Sequence, residues 1–347
     1  MTSVRLAGIA TAFPEHWVVQ SEAVRWIGDA TGDHRRVAAV ARGSQIARRA
    51  ICVPPDELAL LSTIEERNAV YQRVAPQLAV EAGRAAVQRS SGLNVGLVTA
   101  VSCTGYMVPG WDNHVVQKLC LSPQTVRLPI TQAGCAGGVL ALARAADHLR
   151  VHPEQDALVV SAELCSLAFH PDLEPGNLMS VLIFGDGAGA ALLETTDAED
   201  VEGLELVDSL SMLVPDSREA LGFDLTNEGF RSVLSREVAE VLAEPTIEAV
   251  RRLLLKHELV PADMGFWLVH AGGPRILSGV EECFDLPAKT LKWSWETLEA
   301  TGNTSSASVF EVMRRFVADE NAPEGWGVVI AFGPGVAIEL LLVRRCC

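Results

Sequence analysis

Landmarks in the first part of this 347-residue chain return in the second at a near-constant offset. Pro76 and Pro245 lie 169 residues apart, each near the start of the second part of a helical stretch. Gly96 and Gly265 are again 169 apart, each opening an apolar run with strand character. Gly134-Cys135 and Gly302-Asn303 are 168 apart and each opens a helix, while Gly185-Asp-Gly187 and Gly333-Pro-Gly335, at a shorter spacing of 148, both precede a closing apolar strand. The period is far too long for a solenoid. It predicts two copies of one α/β unit packed together, with residues 1–205 forming the first half and residues 206–347 the second.

Composition agrees with buried, close-packed helices on a sheet: 49% of residues are hydrophobic, only 5% are aromatic, and glycine is plentiful. A net charge of −16 argues against nucleic acid as a main partner, because a polyphosphate needs a basic face. Any anionic ligand must be met by local arginines, and Arg35, Arg36, Arg42, Arg48 and Arg49 form such a cluster in a segment compatible with a helix. No apolar run reaches the length of a membrane span, and the first twenty residues lack the apolar core of a signal peptide. The eight cysteines form no CxxC pair and no zinc-like cluster with histidine. Unpaired thiols in a reducing cytoplasm are the simplest expectation.

The pattern predicts strands at Val4–Ala12, Val95–Val101, Ala157–Ala162, Glu202–Leu213, Gly265–His270, Trp326–Phe332 and Val336–Val343. Helices are expected at Ser21–Ile27 with Ser21 as cap, over Thr63–Ser90, at Trp111–Leu119, over most of Asn227–Lys256, at Trp293–Ala300, and from the Thr301-Gly-Asn segment through Val317. The run Gly185-Asp-Gly-Ala-Gly lacks the spacing of a dinucleotide fingerprint and leads into a strand, so it reads as a close approach of backbones.

The stretch Leu128–Leu149 reads as a strand, a tight turn and a buried helix with Cys135 in its first turn. The free N–H groups and partial positive charge of a helix N-terminus favour a thiolate there. Most free cysteines are simply small buried hydrophobes, and the local context alone leaves both readings open. The duplication places Asn303 at the equivalent helix mouth of the other half, and His270 at the end of a second-half strand pointing to the same junction. A Cys–His pair can hold an acyl group as a thioester. His and Asn donors aimed together can stabilise an oxyanion or enolate. A papain-like hydrolase uses the same three residue types, but its cysteine signature is absent.

Gly134-Cys135, Phe184-Gly-Asp-Gly-Ala188, Trp267-Leu-Val-His270-Ala-Gly-Gly-Pro274, Gly302-Asn303-Thr-Ser-Ser306 and Phe332-Gly-Pro-Gly335 resemble the motifs of type III polyketide synthases, the chalcone synthase-like enzymes. The match spans almost the whole chain in order. It implies an α/β thiolase fold, two pseudo-symmetric halves in α/β/α/β/α layers, working as a homodimer. It implies that Cys135 carries the acyl chain, that His270 keeps it as thiolate, and that His270 and Asn303 stabilise the enolate formed from malonyl-CoA. Acyl-CoA and malonyl-CoA are then substrates, and no metal or redox cofactor is needed. Phe184 would stand at the gate between CoA tunnel and cavity. CoA contacts would come from Gly272, Gly273, Arg275 and the arginines Arg42, Arg48 and Arg49.

The second gate phenylalanine of the plant enzymes aligns with Ser232, or with Phe230 if the alignment slips. Cavity positions fall on Cys103, Cys165 and Ala168, with Ser305 retained, and these small side chains suggest room for a long apolar acyl chain. The subunit-crossing methionine of the family aligns with Val108. The segment from Glu163 resembles bacterial synthases of alkylresorcinols and alkylpyrones, which implies a fatty acyl starter. Two alternatives stay open at this point: a ketoacyl-ACP synthase III-like enzyme making one condensation, and a non-catalytic thiolase-fold partner.

Overall fold

The computed structural model describes residues 3–88, 90, 92–168, 172–196, 203–235 and 237–346. Glu202, expected to open a strand, lies outside them. The chain begins with β1 (Ser3–Ala12), β2 (His16–Val19), α1 (Gln20–Thr31), α2 (His34–Ala41), β3 (Arg48–Ile51), α3 (Pro55–Leu60) and α4 (Ile64–Val87). Next come β4 (Val95–Val101), α5 (Asp112–Lys118), β5 (Val126–Ile130), a single 3-10 turn at Gly134–Ala136, and α6 (Gly137–Val151). The first half closes with β6 (Asp156–Leu164), α7 (Cys165–Ala168), α8 (Pro175–Ile183) and β7 (Asp186–Thr196). The second half runs β8 (Gly203–Leu213), β9 (Leu221–Leu225), β10 (Phe230–Leu234), α9 (Val238–Leu255), β11 (Phe266–Val269), α10 (Pro274–Cys283) and α11 (Lys292–Thr301). It ends with a 3-10 turn at Ser305–Ala307, α12 (Ser308–Ala318), β12 (Gly325–Gly333) and β13 (Ala337–Cys346).

Nine strands lie in the order β11-β12-β13-β8-β1-β7-β6-β4-β5. The order is mirrored about the β8–β1 junction, where the ladder pairs Arg5 with Glu205. On one side β4 runs parallel to β6, and β6 antiparallel to β7; on the other β11 runs parallel to β12, and β12 antiparallel to β13. The helix mouths match as well, since α6 and α12 each follow one 3-10 turn. The repeated landmarks of the sequence are therefore equivalent positions in space. The first half keeps one extra strand, β5, on its edge.

Alternation along the strands builds the layers. On β6, Ala157 and Val159 join the central core with α6, whereas Leu158, Val160 and Ala162 join the outer core with Leu78, Ala79 and Ala82 of α4. On the other side the central core takes in Val250 and Leu253 of α9 against β12 and β13. The result is α4, sheet, α6 with α12, sheet, α9, the expected α/β/α/β/α arrangement. Phe310 of α12 is fully buried and sits where Gly189 of β7 leaves space, so a second-half helix is seated on a first-half strand. No described helix is long and apolar enough to cross a membrane.

Three sequence expectations are corrected. Ser21 does not cap α1, because the helix already begins at Gln20, whose N–H is held by the Ala47 carbonyl. The arginine-rich segment is not one helix: α2 stops at Ala41, and Arg48-Arg49 lie on β3, paired with β2. The start of Asn227–Lys256 is also not helical. Phe230–Leu234 follows the Asn-Glu-Gly turn and pairs with β9 as a hairpin.

Phe310→Ala should empty the seam between the halves. We expect a loss of about 3–5 kcal/mol in unfolding free energy, read as a lower urea midpoint with unchanged slope. A loss below 1 kcal/mol would contradict this packing.

Candidate active site

Each helix mouth is covered by a glycine loop of the opposite half. Gly134 has φ +53°, and a Cβ there would lie 2.4 Å from the Pro334 ring. Gly302 has φ +68°, and a Cβ there would lie 2.7 Å from the Ile183 carbonyl oxygen. Only glycine meets both demands, a left-handed backbone and contact at backbone distance. The same closeness lets Phe184 and Asn303 form an isolated parallel bridge, with Asn303 N–H donating to Ile183 at 2.8 Å and Gly185 N–H to Asn303 at 2.9 Å. Cys135 and Asn303 are thereby fixed on facing turns.

Asn303 works in two directions. Its Oδ1 accepts the Ser305 N–H at 2.8 Å, which is the capping role, while Nδ2 donates to the Gly272 carbonyl at 3.0 Å. Ser305, held at φ +51°, accepts from Cys135 Sγ at 3.6 Å, and its hydroxyl lies 3.7 Å from Cys103 Sγ. His270 follows β11, its N–H held by the Ile330 carbonyl at 2.8 Å. Its ring edge lies 3.2 Å from where a Gly272 Cβ would stand. The imidazole is only 2% exposed, yet neither ring nitrogen has a hydrogen-bond partner among the described residues. Buried polar atoms are normally paired, so two orphaned nitrogens on one ring mark a group kept for a reacting partner.

Burial dominates the electrostatics. It pushes the Cys135 thiol up to about 12, against hydrogen bonds from Ser305 and Asn303 that pull it down. It pushes His270 down to about 3. Both effects disfavour the charged form, so the resting pair is thiol and neutral imidazole. The helix mouth alone does not generate a thiolate. Beneath the pair lies Glu163, a buried carboxyl raised in pKa by desolvation. It accepts from Ser306 Oγ, from Thr104 Oγ1 at 2.8 Å and from Cys103 N–H at 3.0 Å. Glu163 enters the sequence resemblance only as the start of a segment; a lone acid near the end of the apolar run of β6 was the available signal of its role as an acceptor.

The remaining sequence-predicted residues divide. Phe184, Cys165 and Ala168 come together in one small apolar cluster. Phe223 and Phe230 of the β9–β10 hairpin pack on that cluster, with ring centroids 6.3 Å apart for both Phe184–Phe223 and Phe223–Phe230. The space expected above the small side chains is therefore covered by aromatic rings. Phe223 was missed because its strand was not recognised. Ser232 is its cross-strand neighbour and donates its N–H to Asn177 Oδ1 at 3.3 Å, while Phe230 joins the aromatic set.

Of the arginines, Arg42 and Arg275 are exposed, and exposed Arg48 lies over the Trp17 ring at 4.6 Å. Arg49 corrects the phosphate-clamp expectation. Its guanidinium is buried and donates to Gln20 Oε1 at 2.6 Å and to the Leu182 and Val181 carbonyls at 2.7 and 3.0 Å. Gly272 and Gly273 line the turn after His270, Gly273 at φ +146°. Among the described residues no cluster of His, Cys, Asp or Glu could hold a metal ion.

Mirrored halves in five layers, with Cys135 and Asn303 on facing turns where the halves meet, define the fold of a thiolase-like enzyme. Residues 3–197 match the N-terminal domain, and residues 205–347 the C-terminal domain, of chalcone and stilbene synthases. The chain belongs to that family, the type III polyketide synthases, and this membership removes both the ketoacyl-ACP synthase reading and the non-catalytic one. It is 32% identical to 1,3,6,8-tetrahydroxynaphthalene synthase of Streptomyces peucetius subsp. caesius, over 98% of this chain and 92% of that one. It is 29% identical to the alpha-pyrone synthesis polyketide synthase-like Pks18 of Mycobacterium tuberculosis, over 98% of this chain and 91% of that one. The crystal structure of PKS-I from the brown alga Ectocarpus siliculosus superposes with a TM-score of 0.93 at 25% identity, covering 100% of this chain and 99% of that one.

The His270 environment has a measurable consequence. A folded-state pKa held at about 3, against an ordinary 6.5, gives stability that is present above pH 6.5 and lost as pH falls toward 3. The slope from this one group approaches about 1.4 kcal/mol per pH unit. His270→Gln should show a shallower loss between pH 6 and 4 in urea titrations, and an unchanged slope would contradict the burial of a neutral imidazole.

Proposed function

We propose that the chain loads an acyl-CoA starter on Cys135, extends it with malonyl-CoA by decarboxylative condensation, and releases a cyclised product of alkylpyrone or alkylresorcinol type. Family membership and the orphaned nitrogens of buried His270 carry this reading. In the loading step His270 takes the Cys135 proton as sulfur attacks the thioester carbonyl. The carbon–sulfur bond to CoA breaks, and the departing CoA thiolate takes the proton back. Malonyl-CoA then loses carbon dioxide, and the freed electron pair becomes an enolate whose oxygen is held by His270 and Asn303 N–H donors. The enolate carbon attacks the Cys135 thioester, forms the carbon–carbon bond and expels the Cys135 thiolate. Loss of carbon dioxide drives the step, so the reaction as proposed calls on no metal or redox cofactor. The thiol belongs to residues 1–205, and the imidazole and carboxamide to residues 206–347.

The protein acts as a cytoplasmic homodimer in this reading. Edge strand β5 supports it, with Val126 and Leu128 turned to solvent at 54% and 37% exposure, since unpaired edges invite a partner. Val108, aligned with the subunit-crossing methionine, is 78% exposed. Exposed Arg42, Arg48 and Arg275 are the candidates for the CoA phosphates.

Cys135→Ala should abolish product from acyl-CoA and malonyl-CoA. His270→Ala and Asn303→Ala should each slow malonyl-CoA decarboxylation by at least about a hundredfold, followed by carbon dioxide release. A wild-type decarboxylation rate in either would refute the assigned role. Leu128→Lys on the edge strand should shift the protein to monomer in light scattering, and an undisturbed dimer would place the interface elsewhere.

A further inference from the structure

Helix α8 ends against the turn that carries Asn303, and two different donors complete that end. The last helical bond runs from the Phe184 N–H to the Ser180 carbonyl at 2.9 Å. The carbonyls of Val181, Leu182 and Ile183 lie beyond it, where a helix leaves its acceptors unpaired. The Asn303 N–H takes Ile183, at 2.8 Å. Arg49 takes the other two, Nη1 donating to Leu182 at 2.7 Å and Nη2 to Val181 at 3.0 Å. A cation there also meets the negative end of the helix dipole. Gln20 steadies the fork. Its Oε1 accepts from Nη1 at 2.6 Å, and its Nε2 donates to the Leu182 carbonyl at 3.1 Å and to Ser44 Oγ at 3.0 Å.

The stem of Arg49 is wedged in the same place. A Cβ on Gly185 would lie 3.0 Å from Arg49 Cβ, and a Cβ on Gly302 would lie 3.3 Å from it. The side chain is thus packed between the turn after α8 and the turn before Asn303, one from each half. Burial lowers the Arg49 pKa to about 10, and the charge of Asp186, also fully buried, acts against that. Asp186 is fixed in turn by the N–H groups of Cys52 and Ser166, both at 2.7 Å, and by the Ser166 hydroxyl at 2.5 Å.

We propose that Arg49 is a positioning residue for the condensation: by holding the Val181 and Leu182 carbonyls it fixes the α8 end on which Asn303 is set, and with it the Asn303 carboxamide for the enolate step. Asp186 keeps the arginine charged and in place. The inference rests on the role proposed above for Asn303 and adds the residue, outside the site, on which that role depends. Cys135 follows Gly134 on the facing turn, under Pro334, so loading of the thiol does not share this support.

The test separates the two half-reactions in the full-length purified enzyme. Acyl transfer to Cys135 is followed by intact-protein mass with acetyl-, octanoyl- and hexadecanoyl-CoA. Decarboxylation is followed by carbon dioxide release from malonyl-CoA supplied alone. Arg49→Lys keeps the charge but replaces the planar fork with a point donor. Arg49→Met combined with Asp186→Asn removes both charges together, so no unpaired buried charge is left. In both, carbon dioxide release should fall roughly tenfold or more while acylation of Cys135 stays within about twofold of wild type, the split expected when one reacting group alone is misplaced. In an Asn303→Ala background Arg49→Lys should bring no further loss, because the group it positions is gone. An unchanged carbon dioxide rate, equal losses in both half-reactions, a further loss in the Asn303→Ala background, or failure of both variants to fold would overturn the positioning role and leave the condensing activity standing. A wild type that does not acylate Cys135 with any of the three starters, or does not decarboxylate malonyl-CoA, would overturn both.

Discussion

The contact on which the site depends is the reciprocal cover of two helix mouths. Gly134 lies under Pro334, and Gly302 lies under the Ile183 carbonyl, so each half closes the turn that carries the other half's functional residue. Neither contact tolerates a Cβ, and both turns need positive φ. The arrangement follows from duplication: equivalent turns meet near the pseudo-twofold junction, and equivalent glycine loops cross to the opposite side. Once the turns are locked, Asn303 can use its carbonyl for the cap and its amino group for the cleft, and Ser305 reaches Cys135 and Cys103 together. Positioning comes from backbone packing, which costs little side-chain entropy at the moment of reaction.

That lock also sets the electrostatics. Desolvation by burial, nearly complete for His270 and partial for the side chain of Cys135, drives both to their neutral forms. A resting thiol beside a neutral imidazole is protected from oxidation, which follows thiolate character. In the proposed mechanism it becomes nucleophilic only when a thioester carbonyl is there to receive the electron pair as the proton moves to His270. The same desolvation strengthens any hydrogen bond made to a developing enolate. Low basicity at rest and strong stabilisation of the charge formed later are therefore two results of one cause.

How much of this could be read from the chain depended on the range of the interactions involved. The buried strands β4, β6 and β11 and the turns at Cys135 and Asn303 were legible, because apolar runs and glycine spacing are local signals and the offset ties them together. Arg49 was not, since its partners are carbonyls of α8 some 130 residues away, and nothing near Arg49 distinguishes it from exposed Arg48. The β9–β10 hairpin was hidden by a strongly helical segment that follows it, so Phe223 went unnoticed although its ring stands on Phe184. Glu163 was visible as a charge in an apolar run, but its role as acceptor for Thr104, Cys103 and Ser306 is a product of three segments meeting.

Misreading the hairpin changes the chemistry expected at the site. With Cys103, Cys165 and Ala168 taken alone, the cavity looks large above the nucleophile. With Phe223 and Phe230 in place, their rings cover those small side chains from the second half, and a cavity lies behind Phe184, in the first half. Side-chain size at the inner wall therefore does not measure capacity in this fold; the opposing hairpin decides which wall faces a void. Since the hairpin is held at its tip by the Ile64 N–H on the Asn227 carbonyl and at its middle by Ser232 on Asn177, it is a fixed cover.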